Sequence, residues 1–309
     1  TSWIRDLFLD GEGAPCRRTP ALFVATEEMR PALDALGRDM AEFTDGLSAT
    51  SATDMRRLFP PLRTGGNAIV AGLHDPDGLR LDSDAMLQAF ARTIRKLGGE
   101  VLTGRRVEAI EPSWSVRSGG ERWTAPILVN AAGAWADTVA GLAGVRPLGL
   151  RPLRRTIVVV VPPPGVDVAG WPFVKTAVDD FYILPESGRL MASPVDEVES
   201  GPCDAQPEDY DVALAAWKVE RYTTLAIERI RHKWAGLRTF TANRTPVAGF
   251  DGEASGLFWL AGQGGFGLQT APALAEAVEA LVTQSGWPDP LAALGVTAEA
   301  IAPKPYCIT

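Results

Sequence analysis

The sequence is poor in the residues that carry most metal and nucleophile chemistry. Three cysteines, Cys16, Cys203 and Cys307, occur among 309 residues, odd in number and far apart with no CxxC. This argues against a disulfide framework and a structural zinc site, and it favours a reducing compartment. Two histidines, His74 and His232, are too few for a His-rich metal centre and make a Ser-His-Asp triad hard to assemble, so both are read as structural and no metal is expected. Long hydrophobic runs are missing. The longest aliphatic stretch, Ile157 to Val161, falls far short of the roughly 20 residues a membrane helix needs. Positive charge is in deficit, with 30 Lys and Arg against 38 Asp and Glu and a net charge of −8. Nucleic acid and anionic membranes are therefore poor candidates for the main partner. The chain opens on Thr1, and no charged segment followed by an apolar one precedes Trp3, so no signal peptide is expected.

What is present is ordinary globular material. With 46% hydrophobic and 22% charged residues over 309 positions, the length suggests about two domains. Helical and extended patterns alternate without an internal repeat, which predicts an α/β or mixed α+β architecture. Residues 26–40 read as a helix opened by Thr26, with Pro31 in its first turns. The segment DSDAMLQAFARTIRKLGG puts Leu87, Phe90, Ile94 and Leu97 on one helical face and stops at two glycines. EVLTG, RRVEAI, WSVR and RWTAPILVN read as strands, the last with a buried run from Ile127 to Val129. AAGAWADTVAGLAG follows as a small-residue turn and a helix. Residues 151–161 read as a strand, FYILPE and RLMAS as a hairpin, 207–224 as a helix, and IRHKWAGLRTF as a strand.

The strongest local signal is FWLAGQGGFGLQTAPALAEAVEALV: an apolar strand, a glycine-rich turn and a helix. Gly262, Gly264 and Gly267 satisfy GxGxxG. A dinucleotide fingerprint also needs a second parallel strand and an acidic residue roughly 20 positions on; here SGWPDP follows the helix, and Asp289 sits between prolines. The diphosphate reading is rejected. What remains is a loop whose backbone N–H groups and helix N-terminus favour an anionic group.

Four spaced segments, VNAAGAWADTVAGLAGVRPLGLRPLRR, FYILPESGRLMASP, WAGLRTFTANRTPVAGF and FWLAGQGGFGLQTAP, resemble the FAD-dependent D-amino-acid oxidase and glycine oxidase superfamily. The likeness is greatest to the bacterial D-arginine dehydrogenase type and runs in the same order from about residue 1 to the end. It implies a two-domain flavoprotein fold. A discontinuous FAD-binding domain (residues 1–15, 82–146 and 246–309) would be interleaved with a substrate domain (16–81 and 147–245) on a large mixed sheet. FAD is the implied cofactor, with Val107 at its adenine end and Ala131, Ala132, Gly133 and Trp135 along its nucleotide portion. Gly264, Gly265, Phe266, Gly267, Leu268 and Gln269 would run along the isoalloxazine.

By the same resemblance Arg238 clamps the substrate carboxylate, a task suited to a planar bidentate guanidinium, and Tyr182 assists it. Arg155 lines the pocket, with Arg154 as the alternative if the register slips by one. Gly265 offers its carbonyl to the substrate amine. Phe173 and Lys175 stand near the side-chain end, and Ala21 occupies a position where relatives that prefer D-arginine carry a carboxylate. Without that anion, neutral or acidic side chains are expected. The implied reaction oxidises the Cα–N bond of a D-amino acid by hydride transfer to flavin N5, giving an imino acid that hydrolyses to a 2-oxo acid and ammonia. Quinone or oxygen would take the electrons. N-methyl amino acids or 2-hydroxy acids are alternative substrates, and the expected location is cytoplasmic, with a peripheral position at the inner membrane face as the alternative.

The front of the chain departs from this pattern. Relatives begin with a strand, a GxGxxG turn, a helix and a second strand ending in an acidic residue, whereas TSWIRDLFLDGEGAP resembles a stretch some sixty residues into such a relative. The resemblance thus implies a missing FAD-binding unit. Three explanations follow: a fragment of a longer product, a partner polypeptide that supplies the unit, or a diverged non-catalytic relative without FAD.

Overall fold

The computed structural model describes residues 16–304, so the expected domain segment 1–15 lies outside the described residues. In chain order run β1 (Cys16–Arg18), β2 (Ala21–Ala25), α1 (Arg30–Ala41), β3 (Ser48–Thr50), α2 (Ala52–Leu58), β4 (Ala71–Asp75) and β5 (Leu79–Leu81). Helix α3 (Ser83–Lys96) leads into β6 (Ala109–Glu111), β7 (Ser115–Ser118), β8 (Glu121–Thr124) and β9 (Leu128–Asn130). A 3₁₀ turn (Gly133–Trp135) and α4 (Ala136–Leu142) precede β10 (Arg151–Val160), β11 (Phe173–Thr176), β12 (Tyr182–Glu186), β13 (Arg189–Ser193) and β14 (Val198–Glu199). The remainder is α5 (Asp209–Tyr222), β15 (Lys233–Phe240), β16 (Val247–Phe250), β17 (Leu257–Ala261), α6 (Gly267–Thr283), α7 (Asp289–Ala293) and α8 (Ala298–Ile301).

Two sheets organise the molecule. The larger has nine strands in the order β14-β10-β13-β12-β11-β2-β4-β3, with β15 also on β10. Strand β10 takes β15 along most of its length, while β13 pairs its C-terminal half and β14 its N-terminal half. The β11–β2 pair is parallel and the other pairs are antiparallel, so the sheet is mixed. In the smaller sheet β17 lies between antiparallel β16 and parallel β9. Helix α4 packs on one face of it around Trp259 and Leu257, and α6, α7 and α8 on the other around Phe258. This is the mixed α/β arrangement expected from the sequence.

Alternation along the large sheet sorts its two faces. Leu22, Val24, Val174, Ile183, Leu190, Ala192, Val158 and Val160 point to one side, where they form a buried core with Met55 and Phe59 of α2 and Ala215 and Val219 of α5. The other face is the wall of a cavity.

Several expected elements are corrected. The helix expected from Thr26 begins at Arg30, with Met29 as a cap that makes no side-chain bond. Pro31 fixes that start, because a residue without an N–H fits only the first turn. EVLTG forms no strand, and RRVEAI is a strand only at β6; residues 100–108 have no ladder partner. RWTAPILVN is broken into β8 and β9 at Pro126, which cannot donate to a ladder. Val129, expected to be buried, is 43% exposed at the edge that β9 forms among the described residues. On α3, Leu87 and Leu97 are likewise exposed and only Met86 is buried. The hairpin β12–β13 turns at Ser187 and Gly188, both at positive φ, as a two-residue turn of this hand requires. Among the described residues no helix is long and apolar enough to cross a membrane.

Candidate active site

The antiparallel register carries the expected substrate-side residues onto one face. Leu153 lies opposite Arg238 and Arg155 opposite Gly236, so Arg155 and Arg238 are diagonal neighbours on the same side of the β10–β15 pair. Lys175 faces Tyr182 across β11–β12 and Phe23 across β11–β2, and Phe173 faces Ala21. Arg155, Arg238, Tyr182, Gly265, Phe173, Lys175 and Ala21 all line one cavity of about 570 Å³. The Phe173 and Tyr182 rings pack 5.7 Å apart at 44°. The structure therefore brings together all seven residues expected on the substrate side.

The same alternation settles the choice between the paired arginines. Arg154 points to the core face, where its guanidinium bonds Asp211 of α5 at 2.9 Å and also Glu208. Arg155 points into the cavity. Its Nε donates to the Asp196 carbonyl (2.7 Å) and its Nη2 to Glu197 Oε1 (3.1 Å). Glu197 in turn accepts from Arg244 through its other oxygen, and the Arg244 guanidinium lies 4.3 Å from the centroid of the Phe240 ring. Burial first, and then the charge of Arg238, push Arg155 below the ordinary arginine value. Two guanidiniums on one wall repel, and an anion between them relieves that repulsion.

Arg238 has no carboxylate partner among the described residues. The glycine loop closes over it. The Gly264 N–H donates to the Thr239 carbonyl at 2.8 Å, and Gln263 bridges to Phe240, which ties the loop to the end of β15. A Cβ on Gly265 would come within 2.8 Å of Arg238 Nη1, and one on Gly264 within 2.2 Å of the Phe240 ring. Gly264 also has φ +55, so only glycine fits there without strain.

The expected cofactor residues fall on two neighbouring β-loop-helix units. Strands β9 and β17 are parallel, so the turn carrying Ala131, Ala132, Gly133 and Trp135 and the loop 264–269 leave from the same end of the sheet. That is the end at which open α/β sheets hold ligands. Buried Asn130 shapes the first turn: its Nδ2 donates to the Ala136 carbonyl (2.8 Å) and its Oδ1 accepts from the Ala132 N–H (3.4 Å). Asp137 holds the segment beyond α4 by accepting from the Leu148 and Leu150 N–H groups at 2.9 and 2.7 Å. Trp135, Phe266 and Leu268 are all exposed, and Phe266 and Gln269 also reach the substrate cavity. Apolar surface on two turns, a glycine cradle and the N-terminus of the 17-residue α6 fit a planar ring with an anionic edge. Val107 stands two residues before β6, outside both turns. After α6 come α7 and α8 and no strand among the described residues.

Residues 2–281 match the family described as FAD dependent oxidoreductase (DAO). The chain belongs to that family. Its members use FAD, the cofactor of this fold, and the two turns above are the described residues that fit it. An uncharacterized oxidoreductase of Bacillus subtilis, YurR, is 25% identical over 255 residues, covering 79% of this chain; the chain spans 64% of that relative's length. L-proline dehydrogenase from P. horikoshii superposes with TM-score 0.79 at 20% identity, over 98% of this chain and 79% of that one. Iminodiacetate oxidase from Chelativorans sp. BNC1 gives 0.78 at 22% identity, over 99% and 81%. These structures share the DAO fold.

Sequence reasoning missed Phe23, Met191, Trp234, Glu197, Asp179 and Arg244 on the cavity wall. Phe23 and Met191 were open to discovery by counting alternate positions along β2 and β13. Glu197, Asp179 and Arg244 lie in connections, where no periodicity marks a facing side chain.

Proposed function

We propose that this chain oxidises the Cα–N bond of D-amino acids, yielding imino acids that hydrolyse to 2-oxo acids and ammonia. The observation that carries the reading is Arg238, a guanidinium on the wall of the cavity without an anionic partner among the described residues, directly under the glycine loop. Arg238 binds the substrate carboxylate through two parallel N–H donors, and the Tyr182 hydroxyl adds a third donor from three strands away. The Gly265 carbonyl accepts from the amine. Positive charge along this wall, part of it paired with Glu197, favours the neutral form of a bound amine over the ammonium. FAD, when bound, supplies the hydride acceptor. The chain itself supplies placement and charge rather than a nucleophile.

The D configuration, the likeness to the D-arginine dehydrogenase type and the roles of Val107, Ala131, Ala132, Gly133, Trp135 and residues 264–269 rest on the sequence resemblance. Product analysis tests the function. D-amino acids should give 2-oxo acid and ammonia in equal amounts; formaldehyde from sarcosine, or a 2-oxo acid from a 2-hydroxy acid without ammonia, would assign the chain to the alternative substrates.

A further inference from the structure

We propose that the ion pair between Lys175 and Asp179 is the side-chain selector of this cavity and that it admits an acidic side chain. The inference rests on the amino-acid reading of Arg238. Lys175 projects from the same sheet face as Arg155 and Tyr182, so an amino acid held at Arg238 extends toward it along the wall.

Charge decides the sign. Five cationic residues line the cavity, Arg80, Arg155, Lys175, Arg238 and Arg244, against Asp75, Asp179 and Glu197. Arg80 pairs with Glu186 outside that set, so one α-carboxylate balances the single charge that remains, and a side-chain carboxylate needs a cation that one of these anions gives up. The anions differ in how firmly they are committed. Glu197 is shared by Arg155 and Arg244. Asp75 accepts from the Asp77 N–H at 2.9 Å and so holds its own turn. Arg80 is satisfied by Glu186 and the Pro185 carbonyl. Asp179 alone is a loose partner: its side chain is 51% exposed, on a turn where its own φ is +56, and it meets Lys175 at 3.1 Å. Lys175 is rooted in a strand with a side chain only 26% exposed. A substrate carboxylate can therefore take over the ammonium while Asp179 turns out to water, and no charge is left buried and unpaired. A cationic side chain would have to break Lys175 from Asp179 and leave the ammonium inside, which is the costlier exchange.

D-glutamate and D-glutamine differ in charge but hardly in shape, so titration calorimetry of the FAD-supplemented chain with each of them, and with D-lysine, tests the selector. D-glutamate should bind at least tenfold more tightly than D-glutamine, with D-lysine weakest. Lys175→Met should bring D-glutamate and D-glutamine within about threefold of each other, and Asp179→Asn should tighten D-glutamate further by removing its competitor. Equal binding of glutamate and glutamine to the wild type would overturn the selector and leave the carboxylate role of Arg238 standing. D-lysine as the tightest ligand, weakened by Asp179→Asn, would reverse its sign. If none of the three binds, the amino-acid reading falls and the selector with it.

Discussion

Replacing Arg238 by alanine separates a binding role from a structural one more cleanly than any other change in the cavity. Truncating one partner of a buried, hydrogen-bonded charge pair costs about 2–5 kcal/mol, which at 1.4 kcal/mol per tenfold is roughly 30-fold to several thousand-fold in affinity. The structure points to the lower part of that range. Arg238 is half-buried rather than fully buried, and Arg155 remains on the same face as a diagonal neighbour to attract the carboxylate. We expect Kd for a D-amino acid, read by calorimetry, to rise about 30- to 300-fold. Arg238→Lys should recover part of the loss but not all, since an ammonium cannot make the paired contact. Folding should change by less than about 0.5 kcal/mol, because no protein carboxylate loses its partner. A Kd within threefold of wild type in a normally folded variant would refute the assignment, and a collapse of the thermal midpoint would show that Arg238 is structural.

Three further outcomes follow from the packing. Arg154→Ala should lower stability by about 3–5 kcal/mol in chemical denaturation, since it strands buried Asp211 on α5, and should change ligand Kd little in the protein that remains folded. Gly264→Ala forces an L-residue into φ +55 with a Cβ 2.2 Å from the Phe240 ring; we expect about 1–2 kcal/mol of backbone strain alone and weaker FAD retention, read by fluorescence of released flavin. For Asp251, burial pushes the carboxyl up, but bonds from the Trp259 indole and the Glu253 and Ala254 N–H groups outweigh it and hold the group below 3.8. Its stabilising contribution is thus fully present above that value and is lost as the pH falls through the lower folded pKa. The urea midpoints of wild type and Asp251→Asn should differ at pH 6 and converge toward pH 2; an equal gap at both would disprove the linkage.

The substrate-side residues were named from the family resemblance, and they share one wall because strand alternation gives them the same face. Arg238, Tyr182, Phe173 and Lys175 entered the wall as expected. The choice between Arg154 and Arg155 was not legible, because adjacent arginines offer one to each face and the deciding partners, Glu208 and Asp211, lie more than fifty residues away. The glycine loop was visible as a turn, but its seat over Arg238 depends on a bond from Gly264 to Thr239 that no local pattern encodes. Pro126 was a stop signal in plain view inside the expected strand RWTAPILVN. The exposed positions on α3 and β9 show that an apolar run states what a segment can bury, while its neighbours decide what it does bury.

The central claim is that the cavity presents an amino acid to FAD for oxidation at Cα. Anaerobic mixing of the FAD-loaded protein with D- and L-enantiomers of one amino acid, followed at the flavin absorbance band in the blue, tests it most directly. The account predicts bleaching by the D-enantiomer, little by the L-enantiomer, and a requirement for higher D-enantiomer concentration in Arg238→Ala. FAD-loaded protein that stays yellow with every amino acid offered would contradict it.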